Sequence, residues 1–556
     1  MTMARDIMLS NGDLTVGLDS YGQVATLRYP DHSSNNHVGS GTLHHKIGVY
    51  SENAVHWLDD GAWKVKQAYY PGRLISRTIA NNLWLDIRLE IQDYVDSELD
   101  ILVRNIHVVN LSGRERRAKL FLHQSFVIDD NLHDVDTAQY LPAGIVNGLS
   151  VPAITHYHGD KAFVISGQCC DCPDGFIEFS IGHFGKYDGN YMSGVWCDAA
   201  DGTLSGNTHE QGHTDSIIGF DITLQPHDSM YVNYYLSAGG STAVAARNLQ
   251  KFLHEGIEAR TKKTAAHWLE WLQPAMAQIK DAVAPEHRYQ IVDSLVSLRG
   301  NMGNNGAVVD SRPGDMAKRN YAPLVHPTTA AIAATTLAQL GLDIDAARIY
   351  DFFVPIIARD NYLLPTYTTT GAVGPNSYSY EQLDDTTILP INIADSAHML
   401  LSLCRTLDVV TTTRTIPAEW RKRWTKLGAP LANFLADYID PISKLPIASY
   451  HGGNSSPELL ASDTRLVYAA LMAAAHVSER VKDTDGVIKY QTVAEDIREN
   501  ASELWVNNAE ADSSSDGPDT DSENANAVDE LDKDGSKLLQ QLIQINRLLR
   551  QSKDSI

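Results

Sequence analysis

His209-Glu210-Gln211-Gly212-His213 places two histidines four residues apart around a glutamate, the spacing with which a zinc-peptidase helix holds its metal. That chemistry needs both imidazoles on one helical face. Here Ser205-Gly206-Asn207 leads in, Gly212 interrupts, and Ser216-Ile217-Ile218-Gly219-Phe220 follows with strand character, so the string reads as a loop between strands. Cys169, Cys170 and Cys172 crowd one loop, but a fourth metal ligand is not apparent and the paired spacing of zinc sites is missing. With Cys197 and Cys404 far off, reduced thiols are expected. His156 and His158 flank Tyr157 on a strand and share a face, with no third ligand to join them. His123 lies in an alternating segment and is expected to hydrogen-bond within it. No metal and no cofactor are expected.

Any such residue is positioned by the elements around it. From about residue 7 to 240, short segments alternate with period two between Gly, Asn and Asp turns. Leu14 to Leu18, Ile101 to Asn105 and Ala118 to His123 are examples. Many such segments without intervening helices predict a large antiparallel β-sandwich over residues 1–240. Near Ser241 the period changes. Val244, Leu249, Phe252, Leu253, Ile257, Trp268, Leu269 and Leu272 recur at helical spacing, which predicts a helical linker over 241–285, with Pro274 interrupting or ending the run. Over 286–508 apolar stripes recur in Ile291 to Leu298, Thr329 to Leu340, Ala346 to Ile357, Ile393 to Leu403, Trp420 to Tyr438, Leu466 to His476 and Lys489 to Trp505. The long loops between them suit an α/α toroid in which loops at one end build a pocket.

Residues 509–535 are dominated by Asp, Glu, Ser and Asn and are expected to be a disordered acidic linker. Residues 536–556 read as a final amphipathic helix, with Leu538, Leu542, Ile545 and Leu549 on its stripe. The whole chain has 45 Lys and Arg against 69 Asp and Glu, a net charge of −24. Such a balance repels nucleic acid and anionic membranes, leaving neutral small molecules, sugars or basic partners. The first ten residues lack the apolar core of a secretory signal, and no apolar run approaches the ~20 residues that span a bilayer. The expected location is cytoplasmic.

Several strings, taken in order, are similar to bacterial and archaeal enzymes of glycoside hydrolase family 15, the glucoamylase, glucodextranase and trehalase-like class. They are Ile47-Gly48-Val49-Tyr50, Trp57-Leu58-Asp59-Asp60, Phe121 to Phe126, Asp201 to Asn207, Ser297-Leu298-Arg299 with Asn305-Gly306-Ala307-Val308-Val309, Ile349 to Phe353, Leu389-Pro390-Ile391 and Val467 to Leu471. The resemblance covers the chain to about residue 505. It implies a super-β-sandwich, a helical linker and an (α/α)6 barrel of the six-hairpin glycosidase kind, here incomplete.

The same resemblance implies an inverting hydrolase. Such a reaction needs two carboxylates roughly 6.5–9.5 Å apart, one kept protonated for the leaving oxygen and one ionised to activate water. The family's Ser-Tyr-Asp-Leu-Trp-Glu-Glu segment falls on Ser449 to Ser455, which puts Asn454 in the general-acid slot and Ser455 beside it. An amide cannot deliver that proton. The sugar-gripping Trp-Pro-Arg-Asp falls on His326-Pro327-Thr328-Thr329, and Leu-Pro-Ile-Gln-Glu-Asp-Glu-Thr becomes Leu389 to Ser396, leaving Asp395. The region of the general base has no counterpart before the acidic segment. The expectation is a non-catalytic pseudoenzyme of carbohydrate metabolism that binds an α-glucan or oligosaccharide weakly.

Tyr362, Tyr367, Tyr378 and Tyr380 lie in the pocket-facing loops, and Tyr367, Tyr378, Tyr380 and Asp395 are the candidate sugar contacts. The rival is a working α-glucosidase, glucoamylase or trehalase with carboxylates relocated to Asp384, Asp385, Asp395 or Glu458, or one half of a split enzyme. About seven helices precede Ala509 where a closed barrel has about twelve. A second copy or a partner subunit is therefore expected to cover the open edge.

Overall fold

The computed structural model describes residues 7–32, 34–38, 44–128, 136–187, 190–310, 323–374, 382–383, 386–387, 391, 393–411, 416–447, 457–501 and 545. Its residues group into two compact units. One holds residues up to Leu272 together with Leu295–Asn301, and the other holds Gln273–Ser294, Met302–Ser311 and the chain from Pro323 onward.

Period-two alternation makes the first unit a stack of antiparallel sheets. Trp63–Tyr69 shows the rule, with exposed Lys64 and Lys66 alternating with inward residues, and it lies at an edge where exposed lysines discourage further pairing. From that edge the nine-stranded sheet runs through Ile75–Asn82, Ile87–Val95, Ile101–Asn110, Ser229–Gly239, Lys161–Cys169, Ala153–His158 and Asp136–Leu141 to His209–Gly212. A six-stranded sheet has the order Asn190–Ser193, Glu178–Tyr187, Thr214–Leu224, Arg116–Ser125, Ile47–Ser51 and Ala54–Trp57. Leu89, Ile106, Phe163 and Leu236 from the larger sheet share one buried cluster with Leu120, Ile218 and Phe220 from the smaller. The two sheets therefore pack face to face, and the predicted sandwich is observed. Ile7–Ser10, Thr15–Leu18 and Val24–Arg28 form a third, three-stranded sheet whose apolar residues join the same cluster.

The family-like strings of this unit meet in space. A Cβ on Gly48 would sit 2.6 Å from the Trp57 ring, and one on Gly202, at φ +83°, would sit 2.4 Å from the Tyr50 ring. Trp57, Phe121, Ala199, Leu204 and Ile217 close a small cluster around Tyr50 and Trp196.

Helix α1 (Thr242–Glu255) starts at Ser241, whose side chain accepts from the Val244 N–H. Its Ala245, Ala246, Leu249 and Phe252 pack with Tyr94, Val103, Val164 and Tyr235 on the outer face of the large sheet. Trp268 of α2 (Ile257–Ala282) joins that cluster, and Arg260 is buried in an ion pair with Asp96. Pro274 does not end this run. It lies inside α2, and the division between the units falls just before it.

The seven predicted helices of the second region are all present. They are α3 (Pro285–Gly300), α4 (Pro327–Gln339), α5 (Asp343–Asp360), α6 (Ile393–Val410), the segment α7 (Ala418–Arg423) to α8 (Ala429–Asp437), α9 (Pro457–Val481) and α10 (Thr484–Asn500). Trp424–Gly428 joins α7 to α8 as a π-helical turn, with Gly428 beneath the Trp424 ring. Helices α4, α6 and α9 pack in succession, while α5, α8 and α10 lie against them. Each member of the first set is separated from the next by a returning segment, so their N-termini share an end, the helix-pair layout predicted for a toroid.

A polar network fixes three of these helices together. Ser402 Oγ donates to Ala331 O at 2.6 Å and lies 2.6 Å from Thr335 Oγ1 and 2.8 Å from the Tyr350 hydroxyl, which is 2.7 Å from Thr406 Oγ1. Among the described residues no helix is long and apolar enough to cross a membrane. The acidic segment and the final helix lie outside the described residues, apart from Ile545.

Candidate functional site

The shared end of α4, α6 and α9 gathers buried carboxyls. Pro327 opens α4 at a position where its missing N–H costs nothing. The next two residues are the threonines of the sugar-gripping slot, and both hydroxyls point at carboxyls. Thr328 Oγ1 donates to Asp395 Oδ1 at 2.8 Å, and Thr329 Oγ1 donates to Asp310 Oδ2 at 2.6 Å. Asp395 stands in the first turn of α6, Asp310 precedes α4 and donates its N–H to Leu324 O, and Asp463 lies near the start of α9. Asp395, Asp310 and Asp463 are only 7%, 8% and 6% exposed.

Burial is the main reason the Asp395 carboxyl is pushed up to about 7, with Asp463 adding to the rise. The hydroxyl and N–H of Thr328 pull the other way and do not offset it. Asp310 Oδ1 is buried without a hydrogen-bond partner. A carboxyl that holds its proton near neutrality beside a second carboxyl can donate a proton, the property a general acid needs.

Tyr367 does not offer a stacking platform. It is fully buried, edge-on to Phe353 with 6.3 Å between ring centroids, and its hydroxyl accepts from Leu364 N at 2.7 Å. Tyr362 packs on Phe434 at 5.4 Å. The loop carrying these residues is tied to α6 where Leu363 N donates to Ser396 Oγ at 3.0 Å. Tyr378, Tyr380, Asp384, Asp385, Asn454 and Ser455 lie outside the described residues, as does the side chain of Glu458.

Asp310 and Asp463 are site residues that motif comparison passes over. Asp463 was legible on other grounds. It is spaced with Val467, Ala470 and Ala474 on the buried stripe of α9, and a carboxylate on an apolar stripe marks a polar contact inside the bundle. Asp310 follows the apolar run Ala307-Val308-Val309 and carries no such signal.

The other candidate ligands resolve into structural roles. His209–Gly212 is an edge strand, with Ala138 opposite Glu210, so the zinc-like string has no helical face. His156 is buried with its two ring nitrogens 2.9 Å from Thr214 Oγ1 and 2.8 Å from Ser216 Oγ. His123 Nε2 is 3.0 Å from Asp215 Oδ2. Among the described residues no cluster of His, Cys, Asp or Glu is arranged to hold a metal. The expectation of reduced thiols is corrected at one point. Cys169 and Cys172 are joined in a disulfide across a tight turn, while Cys170, Cys197 and Cys404 are free.

The fold is similar to that of a bacterial glucoamylase solved in complex with acarbose. The TM-score is 0.64 at 16% identity, over 89% of this chain and 68% of that one. It is also similar to a protein assigned as a kojibiose phosphorylase from the human microbiome, with a TM-score of 0.50 at 10% identity, over 87% of this chain and 61% of that one. No protein-family model and no curated protein sequence matches the chain. These likenesses show a glucoamylase-like fold, and the family 15 resemblance is supported at the level of the fold.

Proposed function

We propose that this chain recognises carbohydrate without hydrolysing it, as a binding, scaffold or regulatory protein built on a glucoamylase-like fold. One observation carries the reading. Where the resembled family places an Arg-Asp clamp for sugar hydroxyls, Thr328 and Thr329 turn their hydroxyls inward onto Asp395 and Asp310. Asp395 is thereby committed to holding α6 to α4 and Asp310 to holding its own loop to α4, and Asn454 in the acid slot adds to the case. Sugar contact then rests on loop aromatics, Tyr378 and Tyr380 among them. The reading includes a companion chain, either a second copy or a partner subunit, and a cytoplasmic setting.

Purified protein incubated with maltose, isomaltose, starch or trehalose, with and without inorganic phosphate, releases no glucose or glucose phosphate above a boiled control. Malto-oligosaccharides shift its intrinsic fluorescence only at high concentration. Turnover that persists through repurification overturns this reading.

A second reading is favoured by the Asp395 carboxyl held at about 7 beside Asp463. In it the pair supplies a relocated acid and base for an active hydrolase. Glucose release abolished by Asp395→Asn would establish that reading in place of the first.

A further inference from the structure

The centre of the β-sandwich holds a small cavity lined by Val24, His45, Lys46, Arg104, Leu122, His123 and Tyr234, with room for about one water molecule. The lining comes from all three sheets. Val24 belongs to the three-stranded sheet, His123 to the six-stranded one, and Arg104 and Tyr234 to the nine-stranded one. Three polar atoms in these walls are buried with no partner: His45 Nδ1, His123 Nδ1 and the Tyr234 hydroxyl. Unpaired polar groups in an apolar interior are strongly disfavoured, so three at one cavity point to an occupant.

The rings' outer bonds fix what the inner atoms can do. His45 Nε2 donates to Ser125 O at 3.1 Å, which leaves Nδ1 of the neutral ring as a lone pair. Burial holds His45 well below its usual range, so the ring is neutral. His123 Nε2 donates to Asp215 Oδ2 at 3.0 Å, which leaves its Nδ1 as the ring atom without a partner. The cavity thus offers one fixed acceptor, His45 Nδ1, together with His123 Nδ1 and the Tyr234 hydroxyl.

Charge selects against an ion. Arg104 is paired with Asp93 at 2.6 Å and donates to Gly22 O at 2.7 Å, and Lys46 is paired with Asp59 at 2.5 Å. An anion would meet the lone pair of His45, and a cation would meet Arg104 and Lys46. A neutral molecule that both donates and accepts matches all three walls.

We infer that this cavity binds one ordered water, which donates to His45 Nδ1 and hydrogen-bonds His123 Nδ1 and the Tyr234 hydroxyl, joining the three sheets at a single point. Three bonds is the usual complement of a buried water. The site is separate from the proposed sugar-recognising end and does not depend on it.

The sign of one substitution tests it. If the water is present, Tyr234→Phe removes one of its partners and lowers the thermal midpoint of the full chain by about 1–3 °C. If the cavity is dry, the same change relieves an unsatisfied hydroxyl and leaves the midpoint unchanged or raised, which overturns the inference. A high-resolution crystal structure of the wild type gives an independent answer. A density peak within hydrogen-bond distance of the three atoms supports the site, and an empty cavity overturns it. Imidazole ¹⁵N shifts of the wild type read the tautomers. Protonated Nε2 with unprotonated Nδ1 on His45 is the result expected, and a protonated Nδ1 on that ring overturns the assignment.

Discussion

Asp395 is the residue where opposing effects are most evenly set. An aspartate in the first turn of a helix is favoured as an anion by the N-terminal dipole, and Thr328 donates to it, yet burial beside Asp463 keeps its proton on to about 7. An acid whose folded value is raised contributes stability that is complete below the ordinary carboxylate range and is lost as pH rises through about 7. Asp395→Asn keeps the acceptor for Thr328 and cannot ionise. It should therefore stabilise the protein at pH 8, by roughly 2–4 kcal/mol, and do little below pH 4. Denaturant titrations of the two proteins across that range check this. Equal stability at pH 8 would mean that the wild-type carboxyl ionises there at no cost. Motif comparison marked Thr328 and Thr329 as substituted slots and Asp395 as a candidate sugar contact or relocated carboxylate. That they bond to one another was not legible, because the partners are 67 residues apart for Thr328 and Asp395 and 19 for Thr329 and Asp310.

Elements were more legible than their contacts. Apolar stripes located every helix from α3 to α10, since each buries one face, and alternation located the strands. Pro274 misled because proline removes one N–H and crowds one carbonyl, a local penalty that a long helix packed along its length can absorb. The polar tie among α4, α5 and α6 left no pattern at all, as Ser402, Thr335, Tyr350 and Thr406 are individually unremarkable. Its members should couple. Tyr350→Phe and Ser402→Ala should each destabilise by about 1–2 kcal/mol, and the double variant by clearly less than the sum, measured in a double-mutant cycle. Strict additivity would show that the hydroxyls act independently. The loop before α4 has a different constraint. Gly306 adopts φ +89°, and a Cβ there would lie 2.0 Å from the backbone oxygen of Arg348 in α5. The family-like string Asn305-Gly306-Ala307 thus marks a close backbone approach. Gly306→Ala should cost more than about 2 kcal/mol, well beyond the penalty of the same change at exposed Gly61, whose Cβ would meet nothing. Comparable costs at the two sites would refute the close approach.

At the scale of the molecule, buried histidines divide the two units. In the sandwich unit, burial lowers His32 and His37 to about 4 and His156 to about 3, and holds His45 well below its usual range. A neutral imidazole with a depressed folded value destabilises the fold only where the unfolded chain takes up a proton and the folded one does not. Stability is therefore intact above about pH 6.5 and falls as pH drops toward 4, by roughly 3 kcal/mol per imidazole at the lower limit. In the helical unit, His398 is lowered to about 4 with the same sign, but Asp395 acts in the opposite sense over much of the same range, and the two partly cancel. In the sandwich, burial also raises the Asp93 and Asp100 carboxyls, which oppose the imidazoles, but four lowered imidazoles against these two make it the more acid-labile part. Hydrogen exchange read peptide by peptide, after correction for intrinsic rates, should show Ile101–Asn110 and Thr214–Leu224 losing protection between pH 6.5 and 4.5 while α4 and α6 retain theirs. His156→Gln, which cannot take up a proton, should flatten the dependence. Helices that open first, or both units opening together with an unaltered slope in the variant, would show that these imidazoles do not govern acid stability.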